Sequence, residues 1–440
     1  MLFKDITMVD ENFDVKEHMY VGVKDAHIKY VGDKMPEENY GEVYEGKDRI
    51  LIPSFYNLHS HLPMSLMRGY GENLPLMNWL EGKIFPFESH LTEDDMYWGT
   101  MLGIAEMLRY GIASTSDMYL GEKPVCRAIA ETGAKANISR SVSWFDSTDY
   151  FDLPFYNETL NAIKEYEGYD DGRIHVEFAL HSEYTTTEKI AKGMAKAAAD
   201  NNTSIHVHVS ESQGEVDMCR KRHQRRSPIR YLSDCGIFDV PATAAHCVHI
   251  DDEDVEILKE HNVTVASNPK SNLKLASGVC PADSLIKAGV NVTIATDSVA
   301  SNNNLNMLEE MRFFSLLQKG VNYDPTLITP KETLYAATRA GAIGQGRKDS
   351  GLIKEGMRAD ITVMRTDEPY LKPIHDYLNN LVYSASGNDV VLTMVDGKVL
   401  YRDGLYTTMD IEKVVYECEK AKNRILGTIK ETNIPDLEVK

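Results

Sequence analysis

Residues 204–211 read Ser-Ile-His-Val-His-Val-Ser-Glu, a run rich in β-branched residues that ends in polar ones. Such a short apolar run, bounded by polar residues, predicts a buried β-strand. His208 lies near the end of the predicted strand, and Glu211 follows three residues later. The strand therefore delivers an imidazole and a carboxylate to its carboxyl end.

Seven further runs share this form, and helical segments separate most of them. The eight runs span residues 50–54, 113–117, 136–140, 174–180, 204–209, 242–247, 264–267 and 292–296. Polar residues close each run, in the same order: His59 with His61, Asp117, Arg140, His181, His208 with Glu211, His246, Asn268 and Asp297. Alternating strands and helices predict a parallel (β/α)8 TIM barrel, whose functional groups gather where the strands end.

Both ends of the chain have a different sequence pattern, in which polar turns separate short runs typical of β-strands. Asp396-Gly397, between two apolar runs, is a hairpin signal. We predict that residues 1–52 and 355–410 form one small β-sandwich domain beside the barrel of residues 53–354. An amphipathic helix over residues 411–429 and a tail complete the predicted segment 411–440.

Composition restricts the class of protein. The 67 acidic and 47 basic side chains give a net charge of −20, which disfavours binding to nucleic acid. No apolar run is long enough to span a bilayer, and the first residues do not resemble a secretion signal. The six cysteines form no CxxC pair, which favours reduced, structural thiols. We therefore expect a cytoplasmic protein.

The pair His59 and His61 has the spacing that places two side chains on the same side of a strand. One such pair among 14 histidines is weak evidence, because it also arises by chance. Three further candidates close later strands at the same barrel end: His208, His246 and Asp297.

Neutral imidazoles with one carboxylate form the ligand set that zinc prefers, and a catalytic ion keeps one position open for water. We predict the ligands His59, His61, His208 and Asp297, with His246 positioning the water. Zinc activates water near neutral pH, which points to a hydrolase.

Several motifs resemble those of the amidohydrolase superfamily. They are Leu-His-Ser-His (58–61), His-Val-Ser-Glu (208–211), Ala-His-Cys-Val-His (245–249) and Thr-Asp-Ser (296–298). A second set resembles the 5′-methylthioadenosine/S-adenosylhomocysteine deaminase family: His-Leu-Pro-Met (61–64), Leu-Met-Arg-Gly (66–69), Ser-Asn-Pro (267–269), Ser-Asn-Leu-Lys-Leu (271–275) and Ala-Ser-Asn-Asn (300–303).

This resemblance implies hydrolytic deamination of an adenine nucleoside, by a homo-oligomer with one divalent ion per chain. Strand four ends in Leu180-His181, without a lysine to bridge two metals. Zinc is the expected ion, with Fe²⁺ as the alternative. The small-molecule partners would be 5′-methylthioadenosine, S-adenosylhomocysteine, 5′-deoxyadenosine or adenosine.

Site residues follow from the same resemblance. Glu88 would bind the ribose hydroxyls, and Arg140 and His181 match other substrate-binding positions. Glu211 and Asp297 would contact the purine as well as act in catalysis. Glu211 is expected to protonate purine N1, and Asp297 to move a proton from water to the departing amine. His246 would orient the attacking oxygen.

One departure from the family concerns the 5′ end of the nucleoside. A second arginine often follows the first by about a dozen residues in that family, but residues 141–172 contain none. We therefore expect a short or apolar 5′ group to be preferred over the carboxylate of S-adenosylhomocysteine. Two alternatives stay open: an aminohydrolase or chlorohydrolase acting on guanine, a pterin or an s-triazine, and a catalytically silent barrel that serves as a scaffold.

Overall fold

The computed structural model describes residues 1–74 and 76–432. Its first five strands are β1 (Leu2–Val9), β2 (Val15–Lys24), β3 (His27–Gly32), β4 (Val43–Glu45) and β5 (Arg49–Pro53). Eight more are β6 (Phe55–Ser60), β7 (Ile112–Tyr119), β8 (Lys135–Val142), β9 (Ile174–Leu180), β10 (Ile205–Val209), β11 (Ala242–His246), β12 (Thr264–Ser267) and β13 (Asn291–Ile294). The last four are β14 (Ile361–Arg365), β15 (Val390–Val395), β16 (Lys398–Arg402) and β17 (Leu405–Tyr406).

Helices follow most of the strands. In chain order they are α1 (Leu76–Trp79), α2 (Phe85–Glu88), α3 (Glu93–Arg109), α4 (Glu122–Thr132), α5 (Pro154–Tyr166), α6 (Tyr169–Gly172), α7 (Glu188–Asp200), α8 (Gln213–Arg222), α9 (Pro228–Asp234), α10 (Asp252–Glu260), α11 (Pro269–Lys274), α12 (Ala282–Ala288), α13 (Val299–Asn302), α14 (Met307–Asn322), α15 (Pro330–Ala337), α16 (Arg339–Gly344), α17 (Tyr377–Tyr383) and α18 (Ile411–Thr432).

Strands β6 to β13 form one parallel sheet in sequence order, which is the predicted TIM barrel. Side-chain and backbone bonds join its first and last strands. The side-chain Nδ2 of Asn57 donates to Thr296 Oγ1 at 2.8 Å, and its Oδ1 accepts from the backbone N–H of Thr296 at 2.9 Å. The Asp297 amide donates to the His59 carbonyl at 3.0 Å. Asn57 thus replaces part of a backbone ladder and draws the eighth strand end towards the first.

Strands from both ends of the chain form a second, mixed sheet of nine strands. Residues of β1, β2, β3, β5, β14 and β15 all contribute to one apolar cluster, so this sheet encloses its own core. Asp396 and Gly397 connect β15 to β16 as the predicted hairpin. A barrel with a β-domain built from both chain ends is therefore confirmed.

The predicted first barrel strand, residues 50–54, is wrong. That run is β5, which pairs antiparallel with β14 and parallel with β1 in the mixed sheet. The first barrel strand is β6, fully buried although it contains Asn57 and His59. Sequence hydrophobicity favoured the apolar run at residue 50, because β6 buries polar residues: Asn57 bonds to Thr296, and His59 faces the candidate site.

Helix α18 extends beyond the predicted residues 411–429 and packs against α3, α2 and the short segment Leu62–Met67. Arg424 donates to the His90 carbonyl at 3.3 and 3.4 Å and pairs with Asp95, which caps α3. The predicted tail, residues 433–440, lies outside the described residues. Within residues 1–74 and 76–432, every helix is too short or too polar to cross a lipid bilayer.

A buried ion network joins the barrel to the mixed sheet. Lys135 at the start of β8 donates to both Asp360 oxygens at 2.8 and 2.6 Å and pairs with Asp396 at 2.7 Å. These side chains are 3%, 0% and 8% exposed, respectively. Tyr56 donates to Asp360 at 2.5 Å. Lys135 and Asp360 therefore compensate each other across the two sheets, whereas Asp396 also pairs with Arg358 at 3.3 Å.

We predict that Lys135→Met destabilises the fold by about 3–5 kcal/mol, because it leaves the buried Asp360 carboxylate without its ion-pair partner. Urea unfolding monitored by circular dichroism measures this. Lys4→Met is the control, since the Lys4–Glu45 pair lies in the same mixed sheet but is exposed, and we expect its midpoint to stay unchanged. Equal midpoints for the two variants would contradict the role of the network.

Candidate active site

Five predicted site residues meet at the carboxyl end of the barrel. His59 is the second-last residue of β6, and His61 follows that strand directly. His208 lies in β10, His246 ends β11 and Asp297 follows β13. His61 Nε2 lies 3.2 Å from Asp297 Oδ1, and His59 Nε2 lies 3.5 Å from the same oxygen. His208 Nε2 is 3.4 Å from His61 Nε2. The possible ligand atoms form two groups that share His59, one with His61 and His208 and one with His246 and Asp297, and within each group they lie within 4.8 Å of one another.

The other nitrogen of each ligand imidazole is held by a fixed partner. His59 Nδ1 lies 3.0 Å from His206 Nε2, and His61 Nδ1 lies 2.5 Å from the Met118 carbonyl. His208 Nδ1 donates to the His181 carbonyl at 2.7 Å. A carbonyl acceptor fixes Nδ1 as the protonated nitrogen and leaves the Nε2 lone pair free. These contacts aim the three Nε2 atoms at a common centre.

Asp297 is a buried carboxylate whose two oxygens have separate partners. Oδ2 accepts from Ser271 at 2.5 Å and from Ser301 at 3.1 Å, while Oδ1 accepts from the Ser298 amide at 2.8 Å. Burial would raise its pKa, but His59 and His61 beside it hold the pKa well below the usual range. The carboxylate is therefore ionised and points Oδ1 at the imidazoles.

The donor set fits a cation. His59 Nε2 is buried without a hydrogen-bond partner among the described residues, although it faces a carboxylate and other imidazoles. Burial lowers the pKa of His59 to about 4 and that of His208 well below its usual value, so both rings are neutral. His61 differs, because Asp297 raises its pKa despite burial. Neutral imidazoles beside an ionised carboxylate are the ligand chemistry of a divalent transition metal.

Four residues at these strand ends have a left-handed backbone conformation. Ser210, His246, Cys247 and Asp297 have positive φ values of 53°, 76°, 46° and 60°. A side-chain-bearing residue in this region costs about 1–3 kcal/mol and persists where the surroundings enforce it. The chain therefore bears a conformational cost to turn His246 and Asp297 into the pocket.

Glu211 and His246 face each other beside the ligand cluster. Glu211 Oε2 lies 4.0 Å from His246 Nε2, and its Oε1 accepts from Ser277 at 3.3 Å. His246 Nδ1 lies 2.8 Å from Asn272 Oδ1 and 3.2 Å from Asn268 Nδ2. The shorter contact is to an acceptor, which favours the tautomer with the proton on Nδ1. His246 Nε2 is then an acceptor that opens towards the pocket.

The three other predicted substrate-binding residues lie around the same barrel end. Burial raises the pKa of Glu88 to about 7, while the Tyr119 hydroxyl and His61 nearby lower it. The His181 ring is 4.9 Å from that of His208. Arg140 forms an ion pair with Glu158, at 2.8 Å between Nε and Oε2. Its charge is thus compensated by a carboxylate of the chain, although its Nε and Nη1 atoms have no hydrogen-bond partner among the described residues.

Sequence reasoning missed the residues that support the ligands. His206 received no role, yet its Nε2 lies 3.0 Å from His59 Nδ1. Asn272 and Ser271 lie in a quoted motif but received no role. The alternation of His206 with His208 along β10 was a usable signal, whereas the contacts of Asn272 and Ser271 depend on the packing of α11 against distant strands.

Comparison with known proteins agrees with this geometry. The family model described as "Amidohydrolase family" matches residues 50–400. The chain belongs to the amidohydrolase family.

Similar proteins extend this amidohydrolase assignment. A relative from Dictyoglomus thermophilum named 5-methylthioadenosine/S-adenosylhomocysteine deaminase is 40% identical over 96% of this chain and 97% of its own. One from Methanocaldococcus jannaschii named 5′-deoxyadenosine deaminase is 39% identical over 89% of this chain and 93% of its own. The zinc-bound crystal structure of an adenosine deaminase from Xanthomonas campestris has a TM-score of 0.90 and 29% identity, covering 97% of this chain and 98% of its own.

We predict that the purified amidohydrolase binds about one divalent ion per chain, because the two groups of possible ligand atoms share His59. His59→Ala should lose the metal and the activity together. Elemental analysis after gel filtration measures the content. Glu211→Gln is the control, since Glu211 is not among the proposed ligands, and it should keep the metal. Two tightly bound ions per chain would contradict a mononuclear site.

Proposed function

We propose that this amidohydrolase removes ammonia from an adenine nucleoside by hydrolysis, yielding the inosine analogue. The observation that carries the proposal is the approach of Glu211 and His246 to the cluster of His59, His61 and Asp297 at one barrel end. The names of the relatives, a methylthioadenosine/S-adenosylhomocysteine deaminase and a 5′-deoxyadenosine deaminase, support the substrate class.

One divalent ion, zinc in preference to Fe²⁺, would be held by His59, His61, His208 and Asp297. A bound metal supplies Lewis acidity, which makes water a competent nucleophile near neutral pH. The proton transfers depend on side chains of the chain itself. Deamination needs a proton removed from water, a proton added to purine N1, and a proton delivered to the departing amine.

Glu211 donates a proton to N1, which makes C6 electrophilic. Asp297 takes one proton of the attacking water and passes it to the amino group, so that ammonia leaves as the C6–N bond breaks. The second proton of that water returns to Glu211 as the C6 carbonyl forms, which restores the acid. His246 accepts a hydrogen bond from the attacking water through Nε2 and fixes its direction towards C6. Transfers by positioned groups contribute about 10²- to 10⁴-fold each.

Glu88 would bind the ribose of the nucleoside. A carboxylate accepts hydrogen bonds from both hydroxyls of a vicinal diol, which neutral acceptors do less strongly. Glu88 lies near Tyr119 and His61, one side of the ligand cluster. Ribose at Glu88 then leaves the purine ring free to reach Glu211 and His246, with His181 and Arg140 as further contacts.

We further propose a cytoplasmic homo-oligomer whose partner is this small molecule. The net charge of −20 supports a preference against nucleic acid, since phosphates would be repelled.

Glu211→Gln is expected to lower kcat about 10²- to 10⁴-fold while metal content is unchanged, because the amide cannot donate the carboxylic proton. Steady-state ammonia release measures kcat. Glu256→Gln is a matched control, since Glu256 is an exposed acid on α10 outside the site, and its rate should equal that of the unmodified enzyme. Near-normal turnover by Glu211→Gln would exclude Glu211 as the donor.

A substrate panel tests the proposed class. We expect ammonia release from 5′-methylthioadenosine, 5′-deoxyadenosine or adenosine, and none from guanine, a pterin or an s-triazine. The reason is that Glu88 would bind a ribose, which these last three compounds lack. The measured quantity is kcat/KM. Activity restricted to guanine or a triazine would refute the nucleoside proposal and keep the hydrolase, whereas a metal-loaded protein inert to every compound would favour a silent scaffold.

A further inference from the structure

Arg140 lies next to the proposed ribose site. It is the register partner of Tyr119 across β7 and β8, and the Tyr119 hydroxyl neighbours Glu88. Side chains of register partners in a parallel pair project to the same face of the sheet. With the purine at the ligand cluster and the ribose at Glu88, the 5′ substituent is directed towards this edge of the barrel.

Acidic side chains surround the guanidinium of Arg140. Glu158 on α5 pairs with it at 2.8 Å. Glu122, buried at the start of α4, also lies near it, and burial raises the pKa of Glu122 to about 8. The protonated form of Glu122 adds no second negative charge. Arg140 and Glu158 are therefore a charge-neutral pair at this edge.

Apolar surface completes this region. The Arg140 guanidinium stacks over Phe155 with 4.4 Å to the ring centroid, and Trp144 contacts Phe155 with 6.0 Å between ring centroids. Trp144 and Phe155 are partly buried and packed against the barrel core. A thioether or methyl group gains contact area here, while a carboxylate would lose hydration and meet the negative charge of Glu158.

We propose that Glu158 neutralises Arg140 and thereby makes the 5′ end of the site select an uncharged substituent over one that carries a carboxylate. This inference rests on the proposed nucleoside deamination and assigns its specificity to a named residue. Glu158 acts through Arg140 and is a specificity residue without a part in the chemistry. It explains how an arginine at the site is compatible with apolar tails.

The test compares kcat/KM for S-adenosylhomocysteine and 5′-methylthioadenosine in the full-length, metal-loaded enzyme. Glu158→Gln is expected to raise the ratio of the two at least about fivefold, through a lower KM for the carboxylated substrate, because the guanidinium is freed for an ion pair. The gain should shrink at high salt, as ionic contacts do at an accessible site. Glu158 is half exposed, so the variant keeps its fold.

Two further variants make the test specific. Glu165→Gln removes the same charge from an exposed position of α5 and should leave the ratio unchanged. Adding Arg140→Met to Glu158→Gln should abolish the gain, since the cation itself is lost.

Three results would overturn the inference. An unchanged ratio in Glu158→Gln, with normal turnover of 5′-methylthioadenosine, would refute the role of Glu158 and leave the proposed function intact. A preference of the unmodified enzyme for S-adenosylhomocysteine would do the same. Lack of turnover of every adenine nucleoside by the unmodified enzyme would instead refute the proposed function, and this inference with it.

Discussion

Asp297 places a negative charge in a pocket where little water can reach it, and the rest of the site depends on how that charge is compensated. A buried carboxylate is costly unless hydrogen bonds and a cation offset it. Serines and a backbone amide satisfy part of its capacity. Oδ1 accepts from the Ser298 amide and also faces the imidazoles of His59 and His61. A bound metal ion would supply the positive charge that offsets this buried carboxylate.

Around that charge, the barrel acts as a rigid frame for side-chain direction. The Nδ1 atoms of His59, His61 and His208 each contact a backbone carbonyl or His206, so rotation of these candidate ligand rings is restricted without a metal. Preorganisation of this kind lowers the cost of assembling the site. The left-handed backbone at Asp297 and His246 has the same effect, since it costs local stability but orients these two side chains into the site.

The sequence was sufficient for the barrel, the β-domain built from both chain ends and the set of residues that meet at the strand ends. Periodicity, strand count and the positions of histidines carry that information locally. It was not sufficient for β6, where Asn57 and His59 are buried without an apolar pattern, and β5 was taken in its place. Nor does it reveal contacts between distant segments. The pairing of Arg140 with Glu158 depends on how α5 packs on β8, which no local pattern encodes.

Pairing between β5 and β14 and the packing of α18 on α2 have a consequence for biosynthesis. The ribosome releases β5 some 300 residues before β14, its partner in that sheet, so this edge of β5 stays unpaired during most of translation. The residues that follow α2, the helix that carries Glu88, likewise gain their contact with Arg424 only when the last helix has emerged. Nascent chains therefore need protection from aggregation until late, and a ribosome that stalls before α18 would yield a barrel whose nucleoside pocket is still unfinished.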